Sequence, residues 1–133
     1  MYNVDWDKVS NVLAAVPQVA VAWVFGSAQS GTIQPGSDLD VGILWAEMPT
    51  FSRLADLRAD LQDALQFDDI DLVSLNDASP VVRFEAVCGR LVFCRCTEQR
   101  ITFVSLTARE YEDSMAMIQR ALSDRATRKS SSF

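Results

Sequence analysis

The chain has 133 residues, 49% of them hydrophobic, and 18 Asp and Glu outweigh 12 Lys and Arg for a formal net charge of −6. That length suits one domain with a real core, and the acidic balance argues against a surface built to grip nucleic acid, favouring a small nucleotide with metal or a protein partner. Histidine is absent, which excludes Ser-His-Asp and Cys-His catalysis and leaves carboxylates, lysine, hydroxyls or a bound metal to carry any chemistry.

Residues 5–16 read as a helix: Val9, Val12, Leu13 and Val16 share one face, and Pro17 stops it. Val19 to Phe25 is β-branched and aromatic, the pattern of a buried strand. The apolar stretch 12–25 is broken by Pro17 and Gln18 and is short of the roughly 20 residues that span a bilayer. With Asp5 and Asp7 in place of a basic leader, the expected location is cytoplasmic, away from membranes. Gly26 and Ser27 end the strand, and 29–37, holding Gly31, Pro35 and Gly36, reads as a loop.

A second strand is expected over 39–45. Pro49 and Thr50 then introduce a helix to about Gln66, with an apolar stripe of Phe51, Leu54, Leu57, Leu61 and Leu65. A third strand follows over 70–75. Ser79 and Pro80 have the chemistry of an N-cap and first helical position, opening a short helix that ends near Cys88, with Gly89 just past it. A fourth strand covers 91–94.

Cys88, Cys94 and Cys96 are odd in number and clustered, unlike a disulfide framework. With no histidine and no CxxC pair beside them, they are expected to be small buried hydrophobes on or near a strand rather than zinc ligands. In the remainder, Ile101, Val104, Ala108, Tyr111, Met115, Ile118 and Leu122 step by three or four along one helical face. Thr107 and Glu110 have capping-box spacing, which would allow a break near 105–107, and the basic tail after Arg125 is expected to fray.

The expected fold is therefore α/β: a small mixed sheet flanked by helices, with a long C-terminal helix. One domain fills 1–133, with a core over about 1–96, a helical segment over about 97–125 and a tail over 126–133. The helix between the second and third strands implies a parallel pair joined by a right-handed crossover; the first two strands can run antiparallel. Residues two apart on a strand point the same way. Asp38 and Asp40 thus project together at the start of the second strand, and Asp69 and Asp71 do so at the start of the third. Parallel neighbours would bring both pairs to one sheet end, and an antiparallel first strand would add the Gly26-Ser27 turn. Clustered carboxylates repel one another, and oxygen-only ligands suit Mg²⁺ or Mn²⁺. Two such ions can clamp an in-line phosphoryl displacement.

Gly26-Ser27, ten intervening residues, then Asp38-Leu39-Asp40 resembles the GS-x10-DxD signature of the DNA polymerase β-like nucleotidyltransferase superfamily, with Asp71 in "DIDLV" at the position of its third carboxylate. The short length, "SPVVRFEAVCGRLVFC" and "EYEDSMAMIQRAL" are similar to minimal nucleotidyltransferase (MNT) antitoxins, which pair with HEPN-domain toxins. The resemblance implies a polymerase β-like fold and transfer of AMP from ATP, with Mg²⁺ (two ions), to a tyrosine hydroxyl of a HEPN ribonuclease. It also implies that Asp38 and Asp40 hold both ions, and that Asp71 completes the one that binds the attacking hydroxyl. Gly26 and Ser27, with Ser37, would bind the nucleotide's phosphates. Asp69 is a weaker candidate, because the pattern needs one acid there. Two alternatives stay open: an antitoxin that only docks, and an aminoglycoside-type small-molecule nucleotidyltransferase. The resemblance further implies a hetero-oligomer with the toxin, and the final helix around Tyr111, Met115 and Ile118 is a candidate surface for the toxin or a second copy. The basic tail is read as a solvated terminus in preference to an RNA-binding arm.

Overall fold

Asp5 opens the first helix chemically: its carboxylate accepts from the backbone N–H groups of Asp7 at 3.1 Å and Lys8 at 3.3 Å. The helix, α1, runs Trp6–Ala14, and the imino nitrogen of Pro17 cannot continue it. The computed structural model describes residues 1–131, with side chains described through residue 126. Strand β2 (Val19–Phe25) follows, and all seven of its residues are buried. The reason is its place in the four-stranded sheet, whose order is β5-β4-β2-β6. Strands β4 (Leu39–Trp45), β5 (Ile70–Ser74) and β6 (Arg90–Cys94) complete it.

β2 pairs antiparallel with both β4 and β6, while β4 and β5 are parallel. The parallel pair is joined by helix α2 (Phe51–Leu65), which Thr50 caps by accepting from Arg53 N–H at 3.1 Å. Helices α1 and α2 pack together on one face, over Leu39, Val41, Ile43 and Ile70; Leu57, Leu61 and Leu65 point inward from α2. Helix α3 (Pro80–Val87), capped by Ser79, covers the other face with the last helix, α4 (Thr97–Ser131). Val21, Trp23, Leu44, Leu75 and Ala86 fill the space beneath them. The α/β order, the crossover and the antiparallel first pair all agree with the sequence reading.

Four features differ from it. Two-residue strands β1 (Tyr2–Asn3) and β3 (Thr32–Ile33) pair antiparallel within stretches that carry no strand period. The turn after β2 is a 3₁₀ segment, Gly26–Ser30. Helix α4 is continuous and extends past 125 to Ser131. Thr107 is only 1% exposed; a cap there would turn the helix off the surface it covers. The side chains of the basic tail from 127 on lie outside the described residues. Finally, Cys88 and Cys96 are exposed and Cys94 is half-buried, all three as free thiols. Cys88 is the C-cap of α3 and Cys96 falls between β6 and α4, so both lie where the chain turns outward.

Candidate functional site

Leu39, completely buried, anchors the start of β4 in the α1/α2 core. The strand alternation then turns Asp38 and Asp40 toward the opposite face. Leu39 N–H donates to Asp69 C=O at 2.8 Å, which locks the start of β4 to the start of β5. In the resulting register Asp40 lies opposite Asp71 on one side and Phe25 on the other. Three strand ends therefore meet at Asp40: the exit of β2 and the entries of β4 and β5. Ser37 N–H donates to Gln34 C=O at 3.0 Å, closing the turn that delivers Asp38.

Gly26 leaves β2 with φ +75, a conformation open chiefly to glycine. A Cβ built there would lie 2.8 Å from Asp40 Oδ2, closer than side-chain carbons pack. The missing side chain is thus what lets backbone approach the carboxylate. Ser27 follows, exposed in the first turn of the 3₁₀ segment.

The electrostatics are one-sided. Asp40 is half-buried, and loss of solvation raises its carboxyl pKa; the charges of Asp71 and then Asp38 raise it further. Asp38, Asp69 and Asp71 are exposed, and with Ile70 and Arg58 they line a small cleft. The structure thus brings Asp38, Asp40 and Asp71 to one sheet end with Gly26 against them. Asp69 joins them in the same cleft. Arg58 was not singled out from the sequence. The available signal was a cation at i+4 from Leu54, on the edge of an otherwise apolar stripe.

Arg58 is one cation against the carboxylates of Asp38, Asp69 and Asp71 in this cleft, and such an excess of acidic oxygens is the donor chemistry a hard divalent cation prefers. Among the described residues, no group of three or more Asp, Glu, Cys or His side chains could hold a metal ion unaided. A hard cation such as Mg²⁺ typically takes one or two carboxylates and completes its octahedron with water and phosphate oxygens. Asp38, Asp40 and Asp71 are the acids that meet at this sheet end, and Gly26 carries no side chain beside Asp40.

The sequence matches the family described as polymerase beta, nucleotidyltransferase over residues 7–98, a span that contains all of these side chains and stops near the start of α4. No curated protein sequence is significantly similar to the chain. Among solved structures, a toxin–antitoxin complex crystallised with AMP-PNP contains a similar chain: 26% identical, TM-score 0.74, covering 92% of this chain and 99% of that one. A chain in the complex of a tri-AMPylated Shewanella oneidensis HEPN toxin with its MNT antitoxin shares the fold at 24% identity and TM-score 0.68, covering 91% and 95% respectively. The MntA–HepT toxin–antitoxin structure is another likeness of fold, at 24% identity, TM-score 0.67, and coverage of 91% and 96%.

Proposed function

The chain belongs to the polymerase β nucleotidyltransferase family, and on that premise we propose that it is an antitoxin that transfers AMP from ATP to a tyrosine hydroxyl of a HEPN ribonuclease toxin. The supporting observation is the register that sets Asp40 beside Asp71, with Gly26 against the Asp40 carboxylate. The similar chain in a toxin–antitoxin complex crystallised with AMP-PNP supports a toxin partner and an adenine nucleotide donor.

In this reading Asp38 and Asp40, with Asp71, would hold Mg²⁺ together with the triphosphate, and Gly26 and Ser27 offer backbone N–H groups to the phosphates. Ser37 supports the turn that holds Asp38. Bound Mg²⁺ would supply charge neutralisation along the triphosphate and at the attacking oxygen. Asp71 faces the acceptor, orients its hydroxyl and receives the proton as that oxygen attacks the α-phosphorus. The bond to the β-phosphate breaks, pyrophosphate leaves, and the tyrosine keeps AMP as a phosphodiester.

A docking contribution has its own support. The apolar stripe of α4 is anchored early by the Phe84–Tyr111 stack, 3.9 Å between ring centroids, and by the Arg83–Glu110 ion pair at 3.3 Å. Of the stripe read from the sequence, Ile101 and Val104 are 57% and 37% exposed at the start of α4, and past Met115 Ile118 and Leu122 are 49% and 57% exposed. The toxin is the occupant we assign to that free end, and docking and AMP transfer can coexist.

The test is incubation of the protein with its cognate HEPN toxin, Mg²⁺ and ATP labelled on its α-phosphate. Label should appear on the toxin, depend on Mg²⁺, and fall about a hundredfold or more with Asp38→Asn. Toxin inhibition that survives Asp38→Asn, with no label transferred, would reduce the function to docking alone.

A further inference from the structure

Arg58 is the cation that lines the acid cleft, about 180 Å³ in volume, beside Asp38, Asp69 and Asp71. It also lines a larger cleft, of about 550 Å³, that runs along α2 past Phe51 and Leu54 to Asp71 and Leu72. Arg58 and Asp71 are the two residues these clefts share. We propose that Arg58 is a further catalytic residue, whose guanidinium donates to the acceptor oxygen as that oxygen attacks, across from Asp71; the inference rests on the nucleotidyltransferase reading above.

The fold holds the base of this side chain still. Arg58 follows Leu57, which is 1% exposed, and Leu61 one turn on is completely buried, so this stretch of α2 is clamped against the sheet. The guanidinium itself is free. Arg58 is exposed, and among the described residues it makes neither a hydrogen bond nor an ion pair, whereas Arg83 is tied to Glu110 at 3.3 Å. An arginine that stands in a cleft of carboxylates and is captured by none of them keeps its planar fork of donors for an incoming ligand. A solvated helix arginine would be equally free, but it would not share both cleft walls with the proton acceptor.

The chemistry calls for a cation at this point. The acceptor oxygen forms its bond to the α-phosphorus, its proton passes to Asp71, and the bond to the β-phosphate breaks as pyrophosphate leaves. Negative charge grows on the acceptor oxygen as its proton departs. Asp38 and Asp40 at the start of β4, and Asp69 and Asp71 at the start of β5, crowd that position with like charge. The 3₁₀ turn adds no charged residue, and Glu85 of α3 lines the cleft on the far side, at Gly26. Arg58 is what α2 sets against these acids. A preorganised donor that meets charge only as it develops raises turnover more than it tightens substrate binding. The larger cleft fits an approach from the same flank: Phe51, Leu54 and Leu72 form an apolar wall, and the small side chains of Ala55 and Ala59 leave room for an acceptor's aromatic ring to reach Asp71.

The experiment follows transfer of label from the α-phosphate of ATP to the cognate HEPN toxin by the full chain with Mg²⁺. Arg58→Ala should lower kcat about a hundredfold, while ATP affinity by equilibrium dialysis and the melting temperature stay at wild-type values. Millimolar guanidinium, far below denaturing concentrations, should raise the rate of Arg58→Ala about tenfold and leave the wild type unaffected, because the free cation can enter the vacated place. Arg58→Lys keeps the charge without the fork and should fall between Arg58→Ala and wild type. An arginine that only braces or solvates α2 predicts no rescue by guanidinium. Transfer by Arg58→Ala at the wild-type rate, or a loss that guanidinium does not restore, would overturn the role of Arg58 and leave the nucleotidyltransferase reading standing. Absence of label with the wild type would remove both.

Discussion

Gly26 and Asp40 are the two residues on which the site turns, and each makes a separate demand. At Gly26, Ala would be strained by φ +75 and would drive its Cβ to 2.8 Å from Asp40 Oδ2. Gly26→Ala should cost about 1–3 kcal/mol of stability by urea denaturation and abolish AMP transfer, because the phosphate path beside Asp40 is closed. Asp40 carries the pH dependence. Its folded-state pKa is raised by burial, then by Asp71 and Asp38. The folded state therefore favours the proton: its stability increment is present below the ordinary Asp value, about 3.9, and is lost as pH rises through the raised value. Without divalent cation, Asp40→Asn should melt higher than wild type at neutral pH, and that advantage should vanish in acid below the ordinary Asp range. Mg²⁺ with ATP should stabilise the wild type and not the variant. A melting temperature of Asp40→Asn at or below wild type at neutral pH, with the fold intact, would refute the account of an Asp40 carboxylate disfavoured by burial and by the charges of Asp71 and Asp38. These acids were legible in the sequence because strand alternation and crossover topology dictate which residues meet. Arg58 was not, since one cation beside a helical stripe looks like any solvated residue until the helix is placed against the sheet.

At the scale of elements, the parallel β4–β5 pair carries the registry of Asp40 and Asp71, and its far end is held by a side chain. Asn76 acts as an extra strand residue: its Oδ1 accepts from Trp45 N–H at 2.9 Å and its Nδ2 donates to Trp45 C=O at 3.1 Å. Trp45 Nε1–H also donates to Ser74 Oγ at 3.1 Å. Asn76→Ala removes two hydrogen bonds and leaves a buried strand end unpaired, for about 1–3 kcal/mol by chemical denaturation. Nucleotide binding should persist in the folded fraction, because Leu39 N–H and Asp69 C=O hold the active end independently. Most elements could be read from the chain: α2 from its stripe and Thr50, α3 from Ser79-Pro80, and β2 from the β-branched and aromatic run Val19–Phe25. The β1–β3 pair could not, since two residues show no alternation and the pairing depends on the chain folding back across 28 positions. The cysteines misled for a related reason. Composition favours burial of thiols, but helix and strand ends decide exposure at Cys88 and Cys96.

For the whole molecule, α4 raises a question of length. Its 35 residues extend roughly 52 Å at 1.5 Å per residue, well beyond the α3 surface it packs on. Its first half is held by the Trp23–Phe103 and Phe84–Tyr111 ring contacts and by Arg83–Glu110. Farther on, Met117, Ile118 and Leu122 are 66%, 49% and 57% exposed. Apolar side chains exposed together on a helix that projects past its packed neighbours mark a candidate interaction surface. A folding-only role for the free end predicts that charging it changes stability; a docking role predicts that charging it changes only association. The double variant Ile118→Glu/Leu122→Glu should keep the wild-type melting temperature within about 2 °C, because neither side chain is buried in the domain. Affinity for the HEPN toxin, by titration calorimetry, should fall about tenfold or more, as two desolvated carboxylates would have to enter the interface. If toxin affinity holds while light scattering shows wild-type self-association lost, the face pairs with a second copy instead. If both hold, the stripe is not an interface and the toxin must engage the Asp71 flank alone.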